Sequence, residues 1–174
     1  MAEDIIEEMK KNALLISDSR TDEILKMDEE FIKKYFGAGL VIFGMVSFLM
    51  TGLTTRAGIV SILIAVAFTL VYFAVFAAAV AFVVDKILHK EDRKFTDELK
   101  ILVVGYTPVY LFGAIPLIGF IAGLATLANV VLVTAKAYRE ELVKTALVYL
   151  LVLIVVGLLA SVFYRSTLFQ IAGY

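Results

Sequence analysis

The chain has 174 residues, 61% of them hydrophobic, with a formal net charge of -1, no cysteine and one histidine; its mean hydropathy is +0.94. This composition predicts one helical membrane domain and leaves no room for a second folded domain. The lack of cysteine excludes a disulfide scaffold, and near-neutral charge without a basic stripe of interleaved aromatics excludes a nucleic-acid partner.

Residues 1–35 are expected to form a cytoplasmic amphipathic helical segment. The opening MAEDIIEEMKK is acidic and lacks the basic-then-apolar order of a cleaved signal peptide, so the first apolar stretch is expected to be kept as a span. Two short helices are predicted, separated by the polar run 17–21, which is rich in capping residues. In the second, Ile24, Leu25, Phe31, Ile32 and Tyr35 share one face at helical spacing, and Glu29 with Lys33 and Glu30 with Lys34 form pairs four apart. Two uses of the face carried by Ile24, Phe31 and Ile32 follow: docking beneath the bundle, or capture of a cytosolic protein partner. Residues 1–35 hold ten acids and six bases, which disfavours adsorption to anionic lipid.

Beyond the leader, residues 37–55, 57–84, 101–135 and 145–164 contain no charged side chain. A hydrocarbon core needs about 20 apolar helical residues to cross it, so these stretches read as membrane segments with the membrane lipids as their solvent. The third is too long for one crossing, since its 35 residues would extend about 52 Å as a helix against a core of roughly 30 Å. Pro116, following Gly113, Ala114 and Ile115, removes a backbone donor and clashes with the carbonyl of Phe112. A hairpin is therefore predicted, its first arm capped at Thr96 with Asp97 and Glu98 in the first turn, its second arm starting at Pro116.

The expected fold is all-α: a polytopic bundle of about five transmembrane helices over 37–53, 58–84, 97–112, 116–135 and 145–164. Charge placement supports the count. Five crossings put Lys26, Lys33, Lys34, Lys86, Lys90, Arg93, Lys94, Lys100, Lys136, Arg139 and Lys144 on one side and leave Arg56 and Arg165 opposite. Four crossings would move Lys136, Arg139 and Lys144 outward and Arg165 inward, weakening the bias. The amino terminus is then cytoplasmic and the carboxyl terminus outside; a shallow re-entrant hairpin over 97–135 would reverse only the last part.

Within the spans, small residues allow backbones to approach where lipid supplies no hydrophobic drive. Ala74, Ala77, Ala78 and Ala81 make one such stripe, and Gly119, Ala122, Gly123 and Thr126 another; Gly119 and Gly123 also match a common helix-dimerisation pattern, which keeps a homo-oligomer open. Pro108 frees the carbonyl of Val104 beside Gly105, Tyr106 and Thr107. Something polar must satisfy that carbonyl, and Thr107, Tyr106 or a neighbouring helix can do so. Asn129 is expected to bond another helix or to line a cavity.

No paired aspartates, serine with histidine, or metal-ligand set is expected at membrane depth, so no catalytic residue, metal or cofactor is assigned. Ser47, Ser61 and Ser161 read as packing residues and His89 as a surface residue in a connection. A small-solute or ion transporter built on the broken helix around Gly105 to Pro108 is the rival to a scaffold. It is weakened by the presence of only one interruption and by the expectation that no charge is buried among the spans.

From Phe95 to Phe163 the chain resembles the Yip family of small five-span membrane proteins, which interact with Ypt or Rab GTPases in eukaryotes. The resemblance rests on a Phe ahead of Leu99-Lys100, on Gly105-Tyr106-Thr107-Pro108, on Ile115-Pro116-Leu117-Ile118-Gly119, on the charged connection that follows, and on Ala146 opening the last span. No tryptophan is present and both prolines lie beyond residue 100, so the eukaryotic cytoplasmic segment with Gly-Pro and Trp is missing; Met27 stands before Asp-Glu-Glu-Phe31. The likeness is to a prokaryotic-type member, which implies a plasma-membrane protein with a membrane-organising or trafficking-like role and no settled activity; a non-enzymatic scaffold or adaptor recruiting a cytosolic partner is the function expected of the chain.

Overall fold

Asp28 decides where the first long helix begins. The computed structural model describes residues 2–13, 20–54, 59–88 and 93–171, and in it the leader forms α1 (Ala2–Lys11) and α2 (Thr21–Lys26), while α3 spans Glu29–Thr54. The Asp28 carboxylate accepts the backbone N–H of Phe31 at 2.7 Å, the bond that an N-cap makes to the first turn. The second leader helix expected from sequence is therefore cut in two: Phe31, Ile32 and Tyr35 belong to the first long helix, where Glu30 and Lys34 pair at 2.5 Å.

The chain continues through α4 (Ile59–Leu88), α5 (Phe95–Gly105), α6 (Thr107–Phe112), α7 (Ile118–Tyr138) and α8 (Leu142–Ile171). Every regular element among the described residues is a helix. Three segments, Glu29–Thr51, Thr69–Leu88 and Ile118–Tyr138, are long and apolar enough to cross a membrane, and Leu142–Leu158 is a shorter apolar run. Arg56, His89, Lys90 and residues 14–19 lie outside the described residues, as do the side chains of Ser61, Ser161 and Arg165.

Side-chain contacts fix the helix directions. Gly119 meets Gly113, Gly105 meets Val130, and Thr134 meets Glu98, so α7 runs back along α6 and α5 as an antiparallel hairpin. Tyr35 bonds Thr107 and Gly39 faces the Tyr110 ring, so α3 and the α5–α6 unit run parallel. The arms of the hairpin differ from expectation in their starts. The first begins at Phe95 with the Lys94 N–H donated to Asp97 at 3.2 Å, which leaves Thr96 inside the first turn. The second begins at Ile118; Pro116 sits in the turn, its carbonyl accepting the Ile118 N–H at 2.8 Å. Leu117 supplies the reversal with φ 63°.

Burial is concentrated at the end of the bundle nearest the leader. Ile24, Tyr35, Val84, Ile101, Leu102, Val104, Val133, Tyr138 and Tyr149 are sealed there. Towards the other end Met45, Leu49, Leu63, Ile64, Phe120 and Ile121 project outward. Such an apolar exterior suits lipid as solvent, and in that solvent helices cohere through close packing and internal hydrogen bonds.

Candidate functional site

At the leader end two polar clusters are built into the packed core. The first follows from the helix break. Pro108 has no N–H to give, and the freed Val104 carbonyl accepts the Thr107 hydroxyl at 2.6 Å. With its proton so used, Thr107 Oγ1 accepts from the Tyr35 hydroxyl at 2.6 Å. Tyr35 in turn accepts from the Asn12 amide at 3.2 Å. The Asn12 carbonyl takes an N–H from Arg20 at 2.6 Å, and Arg20 pairs with Glu8 and Glu23. Burial opposes the Arg20 charge, yet the hydrogen bonds it donates to Glu8 and Glu23, together with their negative charge, outweigh it and raise its pKa above the ordinary value. The leader is thus wired to the kink between α5 and α6, and Lys100 adds a bond to the Leu25 carbonyl at 3.0 Å.

The second cluster centres on Glu98, which is fully buried on α5. Tyr149 of α8 donates its hydroxyl to Glu98 Oε1. Thr134 of α7 lies 3.3 Å from the same oxygen and 3.0 Å from the Tyr149 hydroxyl. Two hydroxyl protons are thus shared among three groups. Tyr138 joins Asp85 of α4 to this cluster, donating to it at 3.2 Å, and Asp85 is itself buried. The expectation that no ionisable group is buried in the helical bundle is overturned here by Glu98 and Asp85. Glu98 does stand in the first turn of α5, where an acid complements the helix dipole, and it also lies on the same stripe as Ile101, Leu102 and Gly105, all of them buried. A core stripe carries its polar member inward with the rest.

The expected interaction residues fare differently from one another. Gly105 is a true close approach, because a Cβ there would stand 2.5 Å from Val130 Cγ1. Tyr106 ends α5, and Thr107 and Pro108 are buried at the start of α6. Asn129 is fully buried on α7. Gly119 approaches backbone, with a Cβ meeting the Gly113 carbonyl oxygen at 2.3 Å, whereas nothing lies within 4 Å of the position at Gly123. The two glycines therefore do not form one contact face. Ala122 is buried, but in α4 the buried small residues are Ala77 and Ala81; Ala74 is half-buried and Ala78 is exposed. Ile24 and Ile32 are buried in the chain's own core and Phe31 packs against it, so of the two uses expected for this face, the one seen is docking against the bundle.

These features define a class: an all-helical protein with helices able to cross a membrane and buried acidic and hydroxyl clusters at one end of the bundle. Among the described residues no group of three or more His, Asp or Glu side chains is placed to hold a metal. No family model matches the chain, and no curated protein or solved structure matches it either.

Proposed function

We propose that this chain is a five-span membrane protein of the Yip type, from a prokaryotic plasma membrane. In this reading its amino terminus is cytoplasmic, its carboxyl terminus is outside, and it serves as a non-enzymatic scaffold that recruits a cytosolic partner through its leader. The observation that carries this reading is the relay from Arg20 and Asn12 through Tyr35 to Thr107. It makes the leader a fixed part of the bundle, with its apolar side turned inward and its polar side outward. That outer side is acidic: Glu3, Asp4, Glu7, Asp22, Glu23, Asp28, Glu29 and Glu30 are exposed. The complementary partner is a cytosolic protein with a basic surface, and a small GTPase is the candidate implied by the Yip resemblance. Such complementarity acts mainly on encounter and specificity.

The test is charge reversal at positions that support no packing. Glu3→Lys, Glu7→Lys and Asp22→Lys together should leave the bundle folded and strip cytosolic proteins from the material that co-purifies from native membranes. Mass spectrometry of both preparations reads the result, and an unchanged partner list would overturn the proposal. Deleting residues 1–35 is a poorer test, because Ile24, Ile32 and Tyr35 belong to the core.

Transport is the second reading, and the buried Glu98 favours it, since ionisable groups inside a helical membrane bundle commonly mark ion or proton routes. Proteoliposomes should then show ion flux that Glu98→Gln reduces at least tenfold. Flux equal in both proteins, or none across a broad panel of ions, removes this reading.

A further inference from the structure

Between α4, α5, α6, α7 and α8 lies a cavity of about 170 Å³. Its wall is mainly aliphatic, with Leu102, Val130 and Leu153 among the lining residues; the polar side chains on it are Thr126 of α7, Tyr106 and Tyr149, and Gly123 lies on the α7 side. Thr126 is 5% exposed, and its hydroxyl has no hydrogen-bond partner. A threonine in a helix ordinarily gives its proton to a carbonyl one turn back. Here that proton and both lone pairs are left over inside an apolar chamber, where a group of this kind is costly to leave unpaired.

Gly123 supplies the way in. It is exposed on the outer face of α7, beside the outward-facing Phe120 and Leu124, and a side chain placed there would meet open space. One turn of α7 therefore opens the chamber at Gly123 and presents a hydroxyl to it at Thr126. The mouth gives onto the apolar exterior, so a ligand arrives from the lipid side.

We propose that this cavity binds a small uncharged amphiphile, a ring-sized alcohol or phenol partitioned into the bilayer, which hydrogen-bonds to Thr126. The size fits, since a dry cavity of about 150 Å³ accepts benzene. Water is a poor occupant because it needs two to four polar partners, and beside Thr126 the lining offers only the hydroxyls of Tyr149, already engaged with Glu98 and Thr134, and of Tyr106, which has an interaction of its own. A charged ligand is disfavoured because no lining side chain is charged. This assignment is independent of the adaptor reading.

Fluorine NMR on the full chain in lipid nanodiscs, with para-fluorophenol and fluorobenzene as probes and empty nanodiscs as baseline, tests it. Para-fluorophenol should bind saturably at one site, about twofold to twelvefold tighter than fluorobenzene, the span of one net hydrogen bond. Thr126→Val should erase that preference while both probes still bind. Gly123→Leu should abolish saturable binding of both without lowering the thermal midpoint, and Leu127→Phe blocks the same space should the first variant fold poorly. The proposal is overturned by wild-type signals no different from empty nanodiscs, by binding indifferent to both blocking variants, or by equal affinity for the two probes, which marks a slot for lipid hydrocarbon.

Discussion

Gly119→Ala is expected to lower the stability of the bundle by about 2–3 kcal/mol, within the range for overpacking a closely fitted site. The added methyl would stand 2.3 Å from the Gly113 carbonyl oxygen and 3.0 Å from its carbonyl carbon. Both atoms are backbone, so no rotamer change relieves the clash; the turn itself must open. That turn is closed by short-range bonds, Ile115 N–H to Phe112 at 3.0 Å and Gly119 N–H to Ile115 at 2.6 Å, and opening it strains them together. Gly123→Ala is the internal control. It lies one turn further along the same helix and meets no atom within 4 Å, so its cost should be near zero, or slightly favourable through helix propensity. Thermal unfolding of the purified protein in one detergent compares the two. Equal midpoints for the two variants would show that the hairpin is not held by backbone contact at Gly119.

That contrast also shows where the sequence was readable. Charge-free stretches and Pro116 announced an all-helical chain with a reversal near residue 116, and helix α7 does fold back on α5 and α6. The kink at Pro108 is likewise legible, because a missing N–H at one position frees one identifiable carbonyl, that of Val104; that Thr107 rather than Tyr106 or a neighbouring helix satisfies it is not. Nor is the partner of Thr107. Tyr35 lies seventy-two positions earlier, and nothing local in either segment marks the pairing.

The other misreadings have a shared physical origin. Small residues permit close approach but do not say which of them is used: Ala77 and Ala78 are equivalent by composition, yet only the first is buried. Glu98 carries a signal of burial beside its first-turn place, because counting three, four and seven residues ahead lands on Ile101, Leu102 and Gly105. An acid that opens an apolar stripe has two possible roles, dipole complement or buried polar residue. The spacing favours the second where the stripe continues at this register. Asp28 was missed as a cap because the apolar face of Ile24, Phe31 and Ile32 ran across it without a change of phase.

The Glu98 cluster leads to the second large effect, a non-additive response to paired substitutions. Tyr149→Phe should cost about 1.5–2 kcal/mol, near the top of what internal hydrogen bonds contribute in membrane bundles, since it removes the shortest bond to the buried carboxyl and leaves it with Thr134 and Tyr138 of α7. Glu98→Leu should cost less, about 1 kcal/mol or below, because it removes the acceptor whole and Thr134 and Tyr149 can still bond each other across 3.0 Å. In the Glu98→Leu background, Tyr149→Phe should then cost only about 0.5 kcal/mol, giving a coupling of about 1–2 kcal/mol between sites on α5 and α8. Unfolding of the four proteins under identical detergent conditions measures the cycle. Were the two losses to add within about 0.5 kcal/mol, Tyr149 would be acting through the packing of its ring, and Glu98 would have to be satisfied by something other than the hydroxyls of α7 and α8.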